Sequence, residues 1–267
     1  MKRLEKKFQE LRNRNEKGLI AYLTAGDPSL SVTEDLSLAL AAAGVDILEI
    51  GMPFSDPTAD GPVIQDAARR ALKNGVTLEA VLEMIAGLRR KASLPIVLFG
   101  YYNPLFAYGI ERFAAQAKRV GVDGILIVDL PYEEAPEVRR FTDPWGIDFI
   151  NLIAPTTDDA RIKKITSRAS GFLYYVSVTG ITGTIKPQVA DIQRDVARIR
   201  LFSNLPVAVG FGISTPEQAA EIAPHAEAIV VGSAFVQLIA ELSGRDDLVA
   251  QVARFARDLR KSLAGHP

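Results

Sequence analysis

The chain contains no cysteine, so disulfides, thiolate metal sites and cysteine nucleophiles are all excluded. Histidine is almost as scarce: His225 and His266 are the only two, and the ligand clusters that a metal-dependent aldolase needs are missing. There is no excess charge of either sign. Thirty-one basic and 32 acidic residues leave a formal net charge of −1, without the sustained positive field that nucleic acid or an anionic membrane requires. The longest apolar runs have the length of a strand and not of a bilayer. The first residues, Met1 to Phe8, mix acids with bases and lack an apolar core, so neither a secretory signal nor a transit peptide is expected. What is left is a metabolite-handling protein, expected in the cytoplasm.

One pattern recurs along the 267 residues: a helix, a glycine, then a β-rich apolar run. Gly44-Val45-Asp46 leads into Ile47 to Ile50, Gly121-Val122-Asp123 into Gly124 to Val128, and Gly146-Ile147-Asp148 into Phe149 to Ile153. Each glycine sits where a helix needs a left-handed residue before the chain turns back. Apolar runs of this length, nearly continuous, predict strands buried on both faces, hence a parallel sheet. Leu19 to Leu23, Pro95 to Phe99, Phe172 to Val176, Pro206 to Val209 and Ala228 to Val231 complete eight strands. Helical stripes lie between them, one opening at Pro62 and another behind Ser31-Val32-Thr33-Glu34, which has the form of a capping box. An amphipathic helix is expected ahead of the first strand, over residues 2 to 14. Eight strand–helix units without a linker predict one (β/α)8 barrel domain over residues 1–267, with an extra N-terminal helix. A doubly wound open sheet is disfavoured, since no G-x-G-x-x-G turn follows the first strand.

Barrel geometry places chemistry at the C-terminal strand ends and in the loops that follow. Glu49 lies near such an end between Leu48 and Ile50, and if the odd face of its strand points inward it enters the barrel mouth. A carboxyl group there loses solvation and acquires a raised pKa suited to proton transfer. The alternative is a structural glutamate paired with a base, but no predicted strand contains lysine or arginine. Asp56 and Asp60 follow in the proline-stiffened loop 51–61, where Asp60 could instead cap the helix opening at Pro62. Glycines recur after the last three strands, in Thr179 to Thr184, Gly210 to Ser214 and Gly232 to Ala234. They allow backbone N–H groups to approach an anion, which favours a phosphate ester as ligand. No lysine stands at a predicted strand end, which argues against a Schiff-base aldolase. Acid–base chemistry by carboxylates remains.

The run Leu48-Glu49-Ile50-Gly51-Met52-Pro53-Phe54-Ser55-Asp56-Pro57-Thr58-Ala59-Asp60-Gly61-Pro62 resembles the signature of the tryptophan synthase alpha subunits. It is joined in order by Thr24-Ala25-Gly26-Asp27-Pro28, Tyr102-Asn103-Pro104, Val128-Asp129-Leu130-Pro131, Gly180-Ile181-Thr182-Gly183 and Gly210-Phe211-Gly212-Ile213-Ser214, so the likeness spans the chain. The resemblance implies a lyase that cleaves indole-3-glycerol phosphate to indole and glyceraldehyde 3-phosphate. It casts Glu49 as the acid–base and Asp60 as the carboxylate that meets the indole N–H. Tyr22, Phe99, Leu126 and Phe211 would line the indole pocket, with Tyr174 beside Glu49. Gly183, Phe211, Gly212, Gly232 and Ser233 would form the phosphate site, Thr182 would also bind substrate, and residues 178 to about 192 would form a mobile loop that closes over it. Pro53, Asp56, Asn103 and Pro131 would face a beta subunit in an alpha-beta-beta-alpha complex. Pyridoxal phosphate is expected in that partner only, with no cofactor and no metal in this chain. Two positions depart from the family pattern: Thr58 replaces an aliphatic residue, and Tyr22 stands where phenylalanine is frequent. A stand-alone indole-releasing lyase, or a weakly active subunit that activates a partner enzyme, remain the alternatives.

Overall fold

The computed structural model describes residues 1–177, 188–210 and 212–264. Nine parallel strands make one sheet: β1 (Gly18–Thr24), β2 (Ile47–Gly51), β3 (Ile96–Gly100), β4 (Gly124–Ile127), β5 (Asp148–Phe149), β6 (Asn151–Ile153), β7 (Leu173–Val176), β8 (Val207–Gly210) and β9 (Ala228–Val231). Their order is β5-β4-β3-β2-β1-β9-β8-β7-β6. The two outermost strands are parts of one continuous run, separated only by Ile150. β5 pairs with β4 and β6 pairs with β7, while the Ile150 N–H donates to the Ile125 carbonyl at 2.8 Å. The sheet therefore closes on itself as an eight-stranded barrel. The expected fifth strand is split because its two halves serve different neighbours, as the stagger of a closed barrel demands.

Helices follow the strands around the outside. They are α1 (Arg3–Arg14), ahead of β1, then α2 (Leu30–Ala42), α3 (Pro62–Lys73), α4 (Leu78–Arg89), α5 (Tyr102–Tyr108), α6 (Ile110–Val120) and α7 (Pro136–Thr142). The second half adds α8 (Asp159–Thr166), α9 (Val189–Arg200), α10 (Pro216–Ile222), α11 (Ser233–Glu241) and α12 (Leu248–Ser262). Outward strand residues such as Leu48, Ile50 and Val209 pack beneath them, and inward residues such as Ile47, Val97 and Ala208 fill the barrel. The odd face of β2 is the inner one. Gly44, Gly121 and Gly146 have φ of 96°, 85° and 71°, the left-handed geometry their places in the repeat call for.

The capping reading of Ser31 to Glu34 is corrected. The N-cap of α2 is Ser29, whose hydroxyl accepts from the Val32 N–H at 3.2 Å, and Glu34 lies inside the helix, paired with Lys91 at 2.8 Å. The extra helix α1 closes the N-terminal end of the barrel. Leu4, Phe8 and Leu11 are buried, with the Phe8 ring 5.7 Å from that of Phe172 and tilted by 50°. Its basic residues reach the aspartates of the glycine repeat, Lys2 to Asp148 at 2.6 Å, Arg3 to Asp123 at 2.7 Å and Lys7 to Asp46 at 3.6 Å. Two of these aspartates also accept a strand N–H, Asp46 from Leu19 and Asp123 from Ile96. The opposite, C-terminal end is left open for a site.

Candidate active site

A cavity of about 740 Å³ opens at that end. Glu49 forms part of its wall from β2 and is 1% exposed, with neither carboxyl oxygen bonded to any group. Its strand places it there: Tyr22 on β1 and Val97 on β3 are its register partners. Burial alone pushes its pKa from 4.5 to about 8, because no cation stands near enough to favour the ionised form. No lysine, arginine or histidine is among the described residues that line the cavity. Among the described residues, no base pairs with Glu49.

Asp60 enters the same cavity from the loop after β2. It is not a helix cap: the N-cap of α3 is Gly61, without a side-chain bond. Its Oδ2 instead accepts from the Tyr101 hydroxyl at 3.0 Å. The phenol oxygen in turn accepts from the Ala59 N–H at 3.0 Å, so Tyr101 fixes both the loop and the carboxylate. Burial raises the Asp60 pKa to about 6 against the opposing effect of that hydrogen bond. The two acids thus straddle neutrality, with Glu49 mainly protonated and Asp60 mainly ionised at pH 7. Separate environments give two carboxyl groups separate roles.

Tyr22, Phe99 and Tyr174 line the cavity with them. The Tyr22 and Phe99 rings meet edge-on at 5.3 Å and 79°. Leu126 does not reach the cavity. It is fully buried in the barrel's interior cluster, beside its register partner Phe99. At the far end stand Gly212, Gly232 and Ser233. Gly212 has φ 82°, and Ser233 opens α11 with Gly232 as its N-cap, so first-turn N–H groups of that helix have no acceptor within it. Thr182, Gly183 and Phe211 lie outside the described residues. Part of the loop expected over residues 178–192 needs correction: α9 begins at Val189, and Ile192 on it is buried.

The residues expected to face a partner occupy the same end of the barrel. Pro53 and Asp56 lie after β2, Asn103 in α5 after β3, and Pro131 after β4; Asp56, Asn103 and Pro131 are exposed. The structure adds residues that sequence reasoning missed. Phe106 is 64% exposed in α5, and its ring lies 5.8 Å from that of Tyr102. Phe54 lies 5.2 Å from Tyr101. Tyr101 itself had a usable signal, since it directly follows the last glycine of β3, where barrel chemistry is sought.

Comparison with known proteins agrees with this geometry. The family model described as tryptophan synthase alpha chain matches residues 8–264. The tryptophan synthase alpha chains of Citrifermentans bemidjiense and Geobacter sulfurreducens are each 49% identical to this chain over 263 residues, 98% of its length and 98% and 99% of theirs. Among solved structures, the tryptophan synthase alpha subunit of Legionella pneumophila superposes with a TM-score of 0.92 at 38% identity, covering 98% of both chains. A chain of the tryptophan synthase α2β2 complex of Pyrococcus furiosus gives 0.84 at 40% identity, over 91% of this chain and 98% of that one. Fold, site and sequence together establish that the chain belongs to the tryptophan synthase alpha chain family.

Proposed function

We propose that Glu49 and Asp60 carry out the alpha reaction of tryptophan synthase in this chain. That reaction, the family's retro-aldol cleavage of indole-3-glycerol phosphate to indole and glyceraldehyde 3-phosphate, makes the chain a carbon–carbon lyase of tryptophan biosynthesis. The observation that supports the assignment best is the pair of carboxyl groups, one dry and unpartnered and the other held by a phenol, in one cavity. Protonated Glu49 delivers its proton to indole C3, and the ring becomes a cation. Ionised Asp60 faces the ring N–H and offsets that charge. The Glu49 carboxylate then takes the proton of the adjacent glycerol hydroxyl as the carbon–carbon bond breaks. The bonding pair returns to the ring, the hydroxyl carbon becomes the aldehyde, and Glu49 ends protonated again. Gly212, Gly232 and Ser233 hold the phosphate by backbone N–H groups, with Thr182 and Gly183 assigned to the same task. Tyr22, Phe99 and Phe211 hold the indole ring, backed by Leu126.

The partner is a tryptophan synthase beta subunit, as in the α2β2 complex of Pyrococcus furiosus. Pro53, Asp56, Asn103 and Pro131 are assigned to that contact, and pyridoxal phosphate to the beta subunit. Residues 1–267 work as one barrel domain in the cytoplasm; no helix among the described residues is long and apolar enough to cross a membrane.

The pH dependence of indole release tests the assignment. Activity requires Asp60 ionised and Glu49 protonated, so kcat/KM should form a bell whose limbs fall near 6 and 8. Glu49→Gln should lower kcat by at least about 100-fold, the usual loss when an acid–base group is removed. A Glu49→Gln enzyme of near-parental turnover, or an alkaline limb that persists in its residual activity, overturns the assignment.

A further inference from the structure

The cleavage needs Glu49 dry, yet Glu49 stands at the mouth of a cavity open enough to admit a substrate. Something must cover the carboxyl group from the side of the barrel mouth. On β2 the next inward position after Glu49 is Gly51, whose register partner is Thr24; Tyr22 is the partner of Glu49 itself. The Tyr22 side chain lies across Gly51. A Cβ added at Gly51 would overlap the Tyr22 hydroxyl and stand 2.5 Å from Cζ and 2.8 Å from Cε2, so the ring occupies the space that a side chain there would fill. Thr24 Oγ1 donates to the Tyr22 hydroxyl at 3.4 Å and is itself 3% exposed. Phe99, the register partner of Gly51 on β3, meets the Tyr22 ring from the other side. The same arrangement recurs across the barrel, where a Cβ at Gly210 on β8 would stand 2.7 Å from Cζ of Tyr174 on β7. Each tyrosine lies over the glycine that ends the neighbouring strand.

We propose that Tyr22, seated on Gly51 and held by Thr24, is a positioning residue whose ring keeps water from the Glu49 carboxyl group. It acts through Glu49 and takes no proton. The inference rests on the reading of Glu49 as the acid. Among the described residues, the titratable groups that share the cavity with Glu49 are Tyr22 from β1, Tyr174 from β7, Asp60 from the loop after β2 and Glu241 at the end of α11. Both phenols have pKa values pushed upward by burial and stay neutral, and the Asp60 charge acts on Tyr22 more strongly than the Glu49 charge does. With no cation among the described lining residues, dryness is what sets the protonation of Glu49. Moving the ring admits water, and water favours the carboxylate.

The test is a direct titration of the full-length, ligand-free chain carrying 13C-carboxyl glutamate. The Glu49 signal is assigned by its loss in Glu49→Gln, so the titration does not depend on turnover. In the parent it should titrate near 8. Gly51→Ala, which displaces the ring, and Tyr22→Ala, which removes it without overlap, should each lower that midpoint by at least a unit. Tyr22→Phe, which retains the ring, should remain within about half a unit, and the alkaline limb of kcat/KM should move with the midpoint in all three. A one-unit fall leaves roughly a tenth as much protonated acid well above the midpoint. Two results overturn the proposal: an unmoved midpoint in folded Tyr22→Ala, or a Tyr22→Phe shift as large as that of Tyr22→Ala. If the midpoint moves while the activity limb does not, the positioning role stands and Glu49 is not the acid.

Discussion

Glu49 imposes a cost on the fold that can be measured without substrate. Its pKa is about 8 in the folded chain, above the ordinary 4.5 that an unfolded chain restores. Between those values the native state binds more protons than the unfolded one, so stability falls as pH rises from about 4.5 to about 8 and stays low above that. Glu49→Gln removes the titration. The variant should therefore melt higher than the parent at pH 8, with the difference vanishing toward pH 4. Each kcal/mol gained should add roughly 2–4 °C in a domain of this size. Differential scanning calorimetry at the two pH values checks it, and equal differences at both would show that Glu49 is hydrated. Asp60→Asn should also lower kcat, since an amide cannot offset a ring cation, and should abolish the acid limb near 6. Gly212→Val acts at the other end. With φ at 82°, a β-branched residue strains the phosphate cradle, so KM should rise more than kcat falls. If Gly212→Val binds glycerol 3-phosphate like the parent, the phosphate lies elsewhere.

At the scale of elements, the glycine-X-aspartate repeat has a second meaning that sequence reasoning left unread. The glycines were legible because only a left-handed turn explains them before a strand. The aspartates were not, because their partners come from distant segments. Asp123 accepts from the Ile96 N–H, pairs with Arg89 at 2.9 Å and holds Arg3 of α1 at 2.7 Å. Arg89 is only 14% exposed in its side chain, so Asp123→Ala removes the counter-charge of a nearly buried guanidinium, which keeps the Leu94 and Gly121 carbonyls as acceptors, and leaves a strand N–H without its acceptor. The expected loss is about 3–5 kcal/mol, the range for breaking a buried pair from one side, read as a lower urea midpoint. Asp148→Ala should cost less, since its partner Lys2 is 45% exposed. Equal midpoints for the two variants would contradict this ranking. The strands themselves were legible to within a residue or two, since uninterrupted apolar runs admit little else in a barrel. The split at Ile150 was not, because it comes from closure. At the site, Glu49 could be read from its place on β2, whereas the Tyr101 bond to Asp60 depends on a loop that folds across two strands.

At the scale of the molecule, the cavity and the exposed loops around it share their parts. Loop 51–61 has Asp56 exposed on its surface and Asp60 in the cavity. Tyr101 holds Asp60 and leads directly into α5, which exposes Asn103 and Phe106. The Tyr102 N–H donates to Asp129 Oδ1 at 2.8 Å, tying α5 to the segment that carries Pro131. A beta subunit seated on Asp56, Asn103 and Pro131 would therefore bear on the same hydrogen bonds that orient Asp60. A ligand that fixes Asp60 should favour the loop arrangement the partner selects, and reciprocity requires it to tighten association by the factor by which the partner tightens the ligand. Allosteric couplings run to about 1–3 kcal/mol, or 5–150-fold. On the proposed assignment, indole-3-propanol phosphate would span from the phosphate cradle to Asp60, whereas glycerol 3-phosphate would fill the cradle alone. The first should strengthen association with a beta subunit more than the second, measured by calorimetric titration. Tyr101→Phe breaks the bond to Asp60 but leaves the exposed residues Asp56, Asn103 and Pro131 in place. It should retain association in the absence of ligand and lose most of the added strength that indole-3-propanol phosphate confers. Equal association constants with and without that ligand in the parent would remove the coupling. A Tyr101→Phe chain that couples as fully as the parent would route it through another contact.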